Sequence, residues 1–491
     1  MSDLKENPLR AEKRRKLHAL KELGIDPYPH EYRRTHHAAD LQQKFAYLKA
    51  GDKVELEQVS LAGRLMTMRD MGKAAFFNLQ DQSGQMQIYL RIQEQNDVAQ
   101  KSFKLIDLGD IVGVKGFVFK TQKGELSIHA QEFQILCKTL EPLPEKFHGL
   151  TDIEMKYRYR HLDLIVDGDS RKVFVMRSKI IREIRNFLDS RGFLEVETPV
   201  LQPVYGGAAA HPFETHHRAL DMKLYLKISP EIYLKRLVVG GFEKVYEISK
   251  NFRNEGIDRS HNPEFTMLEY YEAYTDYKYQ MRQFEELVAH VAKTLTGSMK
   301  VRYQDKEIDF TPPWHRMTVY EGIKKYAGID PETISEKELF NSIKEFGSAL
   351  EKPVTKGEML MEAFELKVEE HLWQPTFVLD HPVEISPLTK MHREKKGLVE
   401  RFEPFAACME IGNAYTELND PEDQLNRLQD QEKKRITDED AHPLDDDFVH
   451  AIDVGMPPTG GVGIGVERIV MILTNQPSIR DIIFFPTMKF K

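Results

Sequence analysis

Cysteine is nearly absent: Cys137 and Cys408 are the only two in 491 residues, far apart and outside any metal-ligand spacing. That spacing leaves no disulfide framework and no thiolate zinc site, and it fits a reducing cytoplasm. No apolar run approaches the roughly 20 residues that cross a bilayer. The N-terminus is charged throughout and lacks the apolar segment of a secretion signal. Neither a dinucleotide fingerprint nor a phosphate loop with its Lys-Ser/Thr occurs. Positive charge is also short, since the net charge is −9, which argues against blanket affinity for nucleic acid. Its distribution is uneven. Seven Lys or Arg stand against two Glu between Lys5 and Lys21, whereas Asp438 to Asp447 holds six acids and no base. A basic arm on an acidic body suits local phosphate contact, although charge alone favours a solvated amphipathic helix.

At this length two or three domains are expected. Residues 1–50 read as a basic helical extension, with Leu9, Lys13, Leu17, Leu20 and Leu23 at three- and four-residue steps. From Val54 the period becomes two. Strands are expected at 59–66, 74–79, 86–90, 111–119 and 126–136, with a helical stretch at 96–108. Five short strands of this kind predict an OB-fold β-barrel over 51–140. A Pro-rich linker at 141–155 leads to a larger α+β domain at 156–491, in which 278–372 reads as a helical insertion.

Three segments of that domain carry polarity that a core face does not need. Two period-2 runs within 242–273 form a hairpin, with Arg253 and Glu255 on one strand and Phe265, Glu269 and Tyr271 on the other. Arginine's planar fork suits a phosphate. In 402–420, Asn413, Tyr415 and Glu417 alternate onto one face, and Glu403 and Glu410 form a carboxylate pair of the kind that holds magnesium beside phosphates. The stretch 459–475 is Gly-rich and opens a helix near Gly465 with Arg468 in its first turns.

Together the helix and strand of 171–199 ending at Pro199, FRNE at 252–255 and GIGVER at 463–468 resemble the three motifs of the class II aminoacyl-tRNA synthetases, in the family's order. Longer blocks, YGGAAAHPF from Tyr205 and EIGNAYTELNDPEDQ from Glu410, resemble the lysine-specific family of subclass IIb over nearly the whole chain. The resemblance implies an antiparallel sheet flanked by helices, a cytoplasmic homodimer, and ligation of L-lysine to tRNA(Lys) with ATP through a lysyl-adenylate, forming AMP and pyrophosphate. By resemblance Arg253 would hold the α-phosphate and the substrate carboxylate, and Arg468 the γ-phosphate. Phe265 would stack under adenine, with Glu255, His261 and Asn262 also at the nucleotide and Glu403 and Glu410 on Mg2+. Lysine would meet Glu231 through its α-amino group and Glu269, Glu417 and Tyr271 through its side chain. Gly207, Asn413 and Tyr415 would complete that site. In the barrel Arg64, Phe76 and Gln87 would read the anticodon, with one of Phe76 and Phe77 in the core.

The chain departs from the family at Ala406-Ala407-Cys408-Met409, where relatives often carry Gly-Gly, and at His211, where arginine is common. His216-His217 point apart on a strand and are not expected to bind metal. Asp445-Asp446-Asp447 reads as a solvated loop. Two other readings are a synthetase-like enzyme that lysylates a protein, whose relatives lack the barrel, and a non-catalytic scaffold, which would not need Arg253 and Arg468.

Overall fold

The computed structural model describes residues 8–144, 152–435 and 442–489, and the chain divides into two compact units between Gly149 and Leu150. That division falls inside the expected linker, whose residues 145–151 lie outside the described ones.

In the first unit, β1 (Lys53–Asp70), β2 (Ala74–Gln80), β3 (Gln85–Arg91), β4 (Ile111–Lys120) and β5 (Leu126–Cys137) close a barrel in the order β1-β2-β3-β5-β4. Alternation decides its inside: Leu61, Leu65, Phe77, Leu79, Ile88, Val114 and Ile128 are buried together. Phe77 is thus the core residue of the aromatic pair, and Phe76 is half-buried on the outer face. Strand β1 runs well beyond the expected 59–66, because the alternation that begins at Val54 continues through residues such as Leu56 and Met68 that stay exposed and outside the core. The N-terminal segment is built into this unit. Helices α1 (Pro8–Glu22) and α2 (Ala38–Lys44) place Leu20 and Leu41 in the barrel's own cluster, with Phe45 beside them. The basic face of α1 is also partly committed rather than simply solvated. Lys13 Nζ donates to Leu108 O at 3.1 Å and to Thr139 Oγ1 at 3.0 Å, and Lys16 Nζ to Asp107 at 2.6 Å.

The second unit is organised by one nine-stranded sheet. Its strands are β6 (Leu194–Glu195), β7 (Lys244–Phe252), β8 (Glu264–Ala273), β9 (His315–Thr318), β10 (Thr376–Leu379), β11 (Arg401–Ala406), β12 (Met409–Glu410), β13 (Gly412–Thr416) and β14 (Thr459–Gly465). They lie in the order β9-β10-β11-β13-β14-β8-β7-β6, with β12 on β11. Pairing is antiparallel through the middle and parallel at both edges, Leu194 beside Val245 and His315 beside Thr376. Two long helices cover the apolar face. Helix α3 (Gly168–Ser190) is capped by Asp167 and α4 (Tyr277–Thr296) by Asp276, and α4 stops at Gly297 in the left-handed region, φ 80°. Ile180, Ile184, Phe284, Leu287 and Val288 pack there on Leu268, Tyr270, Phe402 and Val462.

This packing corrects the expected insertion at 278–372. Helix α4 is part of the main core and β9 belongs to the main sheet, so a separate cluster begins only with Met317, Val319 and Ile323 and continues through Met359 and Phe364. The acidic triplet is no loose loop either. Asp445 Oδ1 accepts from Phe448 N at 3.0 Å and starts the helix Asp446–Val454. At the family departure, Ala407 and Cys408 both take left-handed φ, 55° and 58°, in the turn joining β11 to β12.

Candidate active site

On the open face of the sheet the central strand β14 presents the glycines Gly461, Gly463 and Gly465, while Val462 and Ile464 point into the core. Register places Glu269 and Asn413 on either side of Gly463, and Tyr271 and Tyr415 on either side of Gly461. Two strands of polar residues therefore face one another across a glycine floor, over a cavity of about 400 Å3. Its lining brings together Gly207, Glu231, Arg253, Glu255, His261, Asn262, Phe265, Glu269, Tyr271, Glu403, Glu410, Asn413, Tyr415 and Arg468. Of the expected second-unit residues, only Glu417 lies behind this wall. It follows Tyr415 on the same face, is fully buried, and its Oε1 has no hydrogen-bond partner among the described residues.

One end of the cavity is built for anions. Arg253 follows the last residue of β7, and its N–H still donates to Pro263 O at 2.9 Å, which carries the hairpin pairing past the strand end. Its guanidinium lies 5.2 Å from the Phe265 ring, and its buried Nε has no hydrogen-bond partner among the described residues. Burial lowers its pKa below the usual arginine value, with Glu255 and Glu410 opposing. Arg468 sits in the first turn of helix α5 (Val466–Leu473) and donates to the Glu410 carbonyl. Its Nη2 lies 3.4 Å from His261 Nε2, and His261 Nδ1 is held 2.8 Å from Asp258.

Glu403 and Glu410 flank this end and are shifted in opposite directions. Burial would raise the Glu403 carboxyl, yet His381 at 3.3 Å and Arg401 at 2.7 Å outweigh it and bring it to about 2. Glu410 is pushed up, by desolvation and then by the like charge of Glu403. Two crowded carboxylates beside two arginines are a donor set that Mg2+ and phosphate oxygens complete. No group of three or more His, Cys, Asp or Glu side chains able to hold a metal occurs among the described residues.

The other end is acidic and buried. Ser229 Oγ donates to Glu269 Oε1 at 2.7 Å, and Tyr271 OH to Oε2 at 3.1 Å. Tyr415 OH donates to Glu231 Oε2 at 2.7 Å. Burial first, then the charge of Glu231, pushes the Glu269 carboxyl up to about 8. Gly207 shapes the rim: its φ is +84°, and a Cβ there would lie 2.8 Å from Glu231 Cβ.

Several contributors escaped sequence reasoning. Arg401 holds Glu403 and Asn413 Oδ1, the latter at 3.0 Å. Its place two residues before Glu403 on a strand, hence on the same face, was the available signal. Glu467 accepts from Thr266 N at 3.0 Å with both oxygens and from Arg177 Nη2 at 2.7 Å. His211 lends its carbonyl to Asn254 N at 2.7 Å. In the barrel, Phe76 lies 4.8 Å from Tyr89, Arg64 donates to Gly109 O at 2.7 Å, and Gln87 Oε1 accepts from Ser127 at 2.8 Å.

A cavity that joins an arginine-rich anion end to an acidic end on an antiparallel sheet has a counterpart among known families. The family described as tRNA synthetases class II (D, K and N) matches residues 152–489, and the chain belongs to it. Residues 59–136 match the OB-fold nucleic acid binding domain. The chain is 50% identical to the lysine–tRNA ligase of Moorella thermoacetica over 99% of both chains. It is 52% identical to that of Pelotomaculum thermopropionicum, over 98% of this chain and 95% of the relative. The Bacillus cytotoxicus lysine–tRNA ligase is 50% identical over 98% and 97%. Within the class II enzymes the chain is thus placed among the lysine–tRNA ligases.

Proposed function

We infer that the chain ligates L-lysine to tRNA(Lys) with ATP, and that the single cavity described above performs both the activation and the transfer. The observation that carries this reading is its polarity: Arg253 and Arg468 at one end, Glu231, Glu269 and Tyr271 at the other. Lysine has a carboxylate at one end and ammonium groups that need acidic partners when desolvated.

The anion end receives ATP, with adenine on Phe265, the α-phosphate at Arg253 and the γ-phosphate at Arg468, while His261, Asn262 and Glu255 border the nucleotide. Glu231 takes the α-ammonium. Glu269, Glu417 and Tyr271 take the side-chain ammonium, and Gly207, Asn413 and Tyr415 close the pocket. An oxygen of the lysine carboxylate attacks the α-phosphorus in line. The bond to the bridging oxygen breaks, and pyrophosphate leaves. A ribose hydroxyl of the tRNA terminus then attacks the acyl carbon and AMP departs. No protein nucleophile is needed: the residues hold the reactants in line and offset developing charge. Mg2+ bound at Glu403 and Glu410 would neutralise phosphate oxygens.

Arg64, Phe76 and Gln87 offer the barrel's outer face to anticodon bases, supported by the half-buried ring of Phe76 beside Tyr89. A homodimer is supported by the exposed apolar side chains Val175, Leu194, Val200 and Leu201 on helix α3 and the segment after it. No helix among the described residues is long and apolar enough to cross a membrane, and the tRNA substrate sets the reaction in the cytoplasm.

The test is amino-acid-dependent exchange of pyrophosphate into ATP, with each of the twenty amino acids in turn. Exchange with lysine alone, abolished by Arg253→Ala, supports the reading. Exchange with aspartate or asparagine overturns the specificity, and none with any amino acid overturns the enzyme.

A further inference from the structure

The helix Glu231–Val239 carries Lys235 one turn after Glu231, so both side chains fall on one face. Lys235 is fully buried. Its Nζ donates to Glu231 Oε1 at 2.6 Å and lies 2.5 Å from Glu417 Oε2. The rings of Tyr415 and Phe448 close it off, with centroids at 5.7 and 5.8 Å. Two of the three pocket carboxylates therefore share a cation that belongs to the protein. A hydrophobic side chain would fill this volume without desolvating a charge. What lysine adds here is the charge itself.

Charge matching gives that addition a use. Glu231, Glu269 and Glu417 carry three negative charges when ionised, and Lys235 offsets one. The two that remain equal the two ammonium groups of free lysine, whose carboxylate is matched by Arg253. The other nearby charged groups are paired or neutral: Glu247, which also acts on Glu269, is held by Lys227. Arg401 is engaged by Glu403 at 2.7 Å, and burial holds the His442 imidazole down at about 4, so it is neutral. Tyr271 and Tyr415 are pushed well above the usual tyrosine value by burial and the surrounding carboxylates, so they stay protonated donors.

We propose that Lys235 is a positioning and specificity residue, whose ammonium ties Glu231 to Glu417 and sets the pocket's net charge to that of a doubly cationic amino acid. An amino acid with one ammonium leaves a carboxylate unmatched and is refused. The inference rests on the lysine-pocket assignment given above.

The experiment is pyrophosphate exchange on the full chain, with lysine and ATP varied separately, for Lys235→Met, Glu417→Gln and the double variant. Lys235→Met raises the lysine KM tenfold or more and leaves the ATP KM within about twofold. Its lysine KM also falls more steeply with rising pH, because without the Lys235 charge Glu417 holds its proton to higher pH and must shed it to meet an ammonium. A merely structural role lowers the amount of active protein and moves neither readout. The double variant restores two net charges, so its lysine KM lies at least tenfold below the product of the single effects. Should Lys235→Met not fold, the comparison is the double variant against Glu417→Gln, and the proposal requires the double to be no weaker. Multiplying effects overturn it. So does a lysine KM that is unchanged or lowered in Lys235→Met, the result expected if Nζ merely fills the substrate's place. Glu269→Gln separates the two layers. If it leaves the lysine KM unmoved, the pocket reading fails. If it raises the KM and Lys235→Met does not, only the present inference fails.

Discussion

Gly461 and Gly463 stand two residues apart on β14, yet a methyl group added to each should act in opposite ways. A Cβ on Gly461 would overlap Glu417 Oε1 and lie 2.5 Å from Tyr271 Cε1. Neither neighbour can give, because Glu417 is tied to Lys235 and the Tyr271 ring is 2% exposed. Gly461→Ala should therefore cost about 1–3 kcal/mol of folding stability, the usual range for overpacking. Displacing Glu417 also loses a charged hydrogen bond, about 1.5–3 kcal/mol, which lowers kcat/KM for lysine roughly 10- to 100-fold. At Gly463 the nearest atoms, Asn413 O and Glu269 Cγ, are both 3.7 Å from such a Cβ, an ordinary contact. Gly463→Ala should melt within about 0.5 kcal/mol of the unsubstituted chain. Its methyl stands in the cavity, however, and lysine-dependent exchange should fall about tenfold or more. The assays are a denaturant melt and pyrophosphate exchange on both variants. A Gly463→Ala protein that is destabilised, or that keeps lysine activity within threefold, refutes the placement of substrate over the glycine floor. A Gly461→Ala protein with full stability refutes the packing.

The Glu269 carboxyl must be ionised to meet an ammonium, and its value of about 8 in the empty pocket means that lysine binding ejects a proton near neutrality. The lysine KM should accordingly fall as pH rises towards 8 and climb as pH drops below it, with little change in the ATP KM; a flat profile between pH 6.5 and 8 counts against this. Ala407 holds a left-handed φ of 55° that costs a non-glycine residue about 1–2 kcal/mol. Ala407→Gly should thus raise stability by about 1 kcal/mol in a melt, less the extra chain entropy of glycine. Phe76→Ala should raise the tRNA KM in aminoacylation by the roughly 1–3 kcal/mol of one stacked base, while tRNA-free exchange is unchanged; loss of exchange would assign the ring to folding.

Much of this arrangement was legible in the residues because it follows short periods. The barrel strands alternate, and Phe265, Glu269 and Tyr271 fall on one face for the same reason. Arg253 and Arg468 were legible through the resemblance of their motifs. What escaped depends on distant partners. Helix α4 looks like a charged insertion because Lys278, Arg282, Glu286 and Lys293 recur along its exposed side, and only its contacts with Phe377 and Phe402 show its apolar stripe to be core. The expected strand that ends at Pro199 shrinks to β6, since an edge position gives it a partner for only two residues, Val245 and Tyr246. Lys235 carried a local signal, four residues after Glu231, but a lysine on a helix reads as solvent-facing until Glu417 is brought against it.

One carboxylate joins parts of the second unit that lie far apart in the chain. Glu467 neighbours Arg468, caps Thr266 on the strand that bears Phe265, and grips Arg177 on helix α3, whose own guanidinium reaches Thr266 Oγ1 at 3.0 Å. If subunits meet along α3, a shift of that helix is felt first at the nucleotide end of the cavity, and only later among the buried acids. A compound that wedges the subunits apart would then behave in kinetics as an antagonist of ATP while leaving lysine recognition intact, without ever entering the cavity.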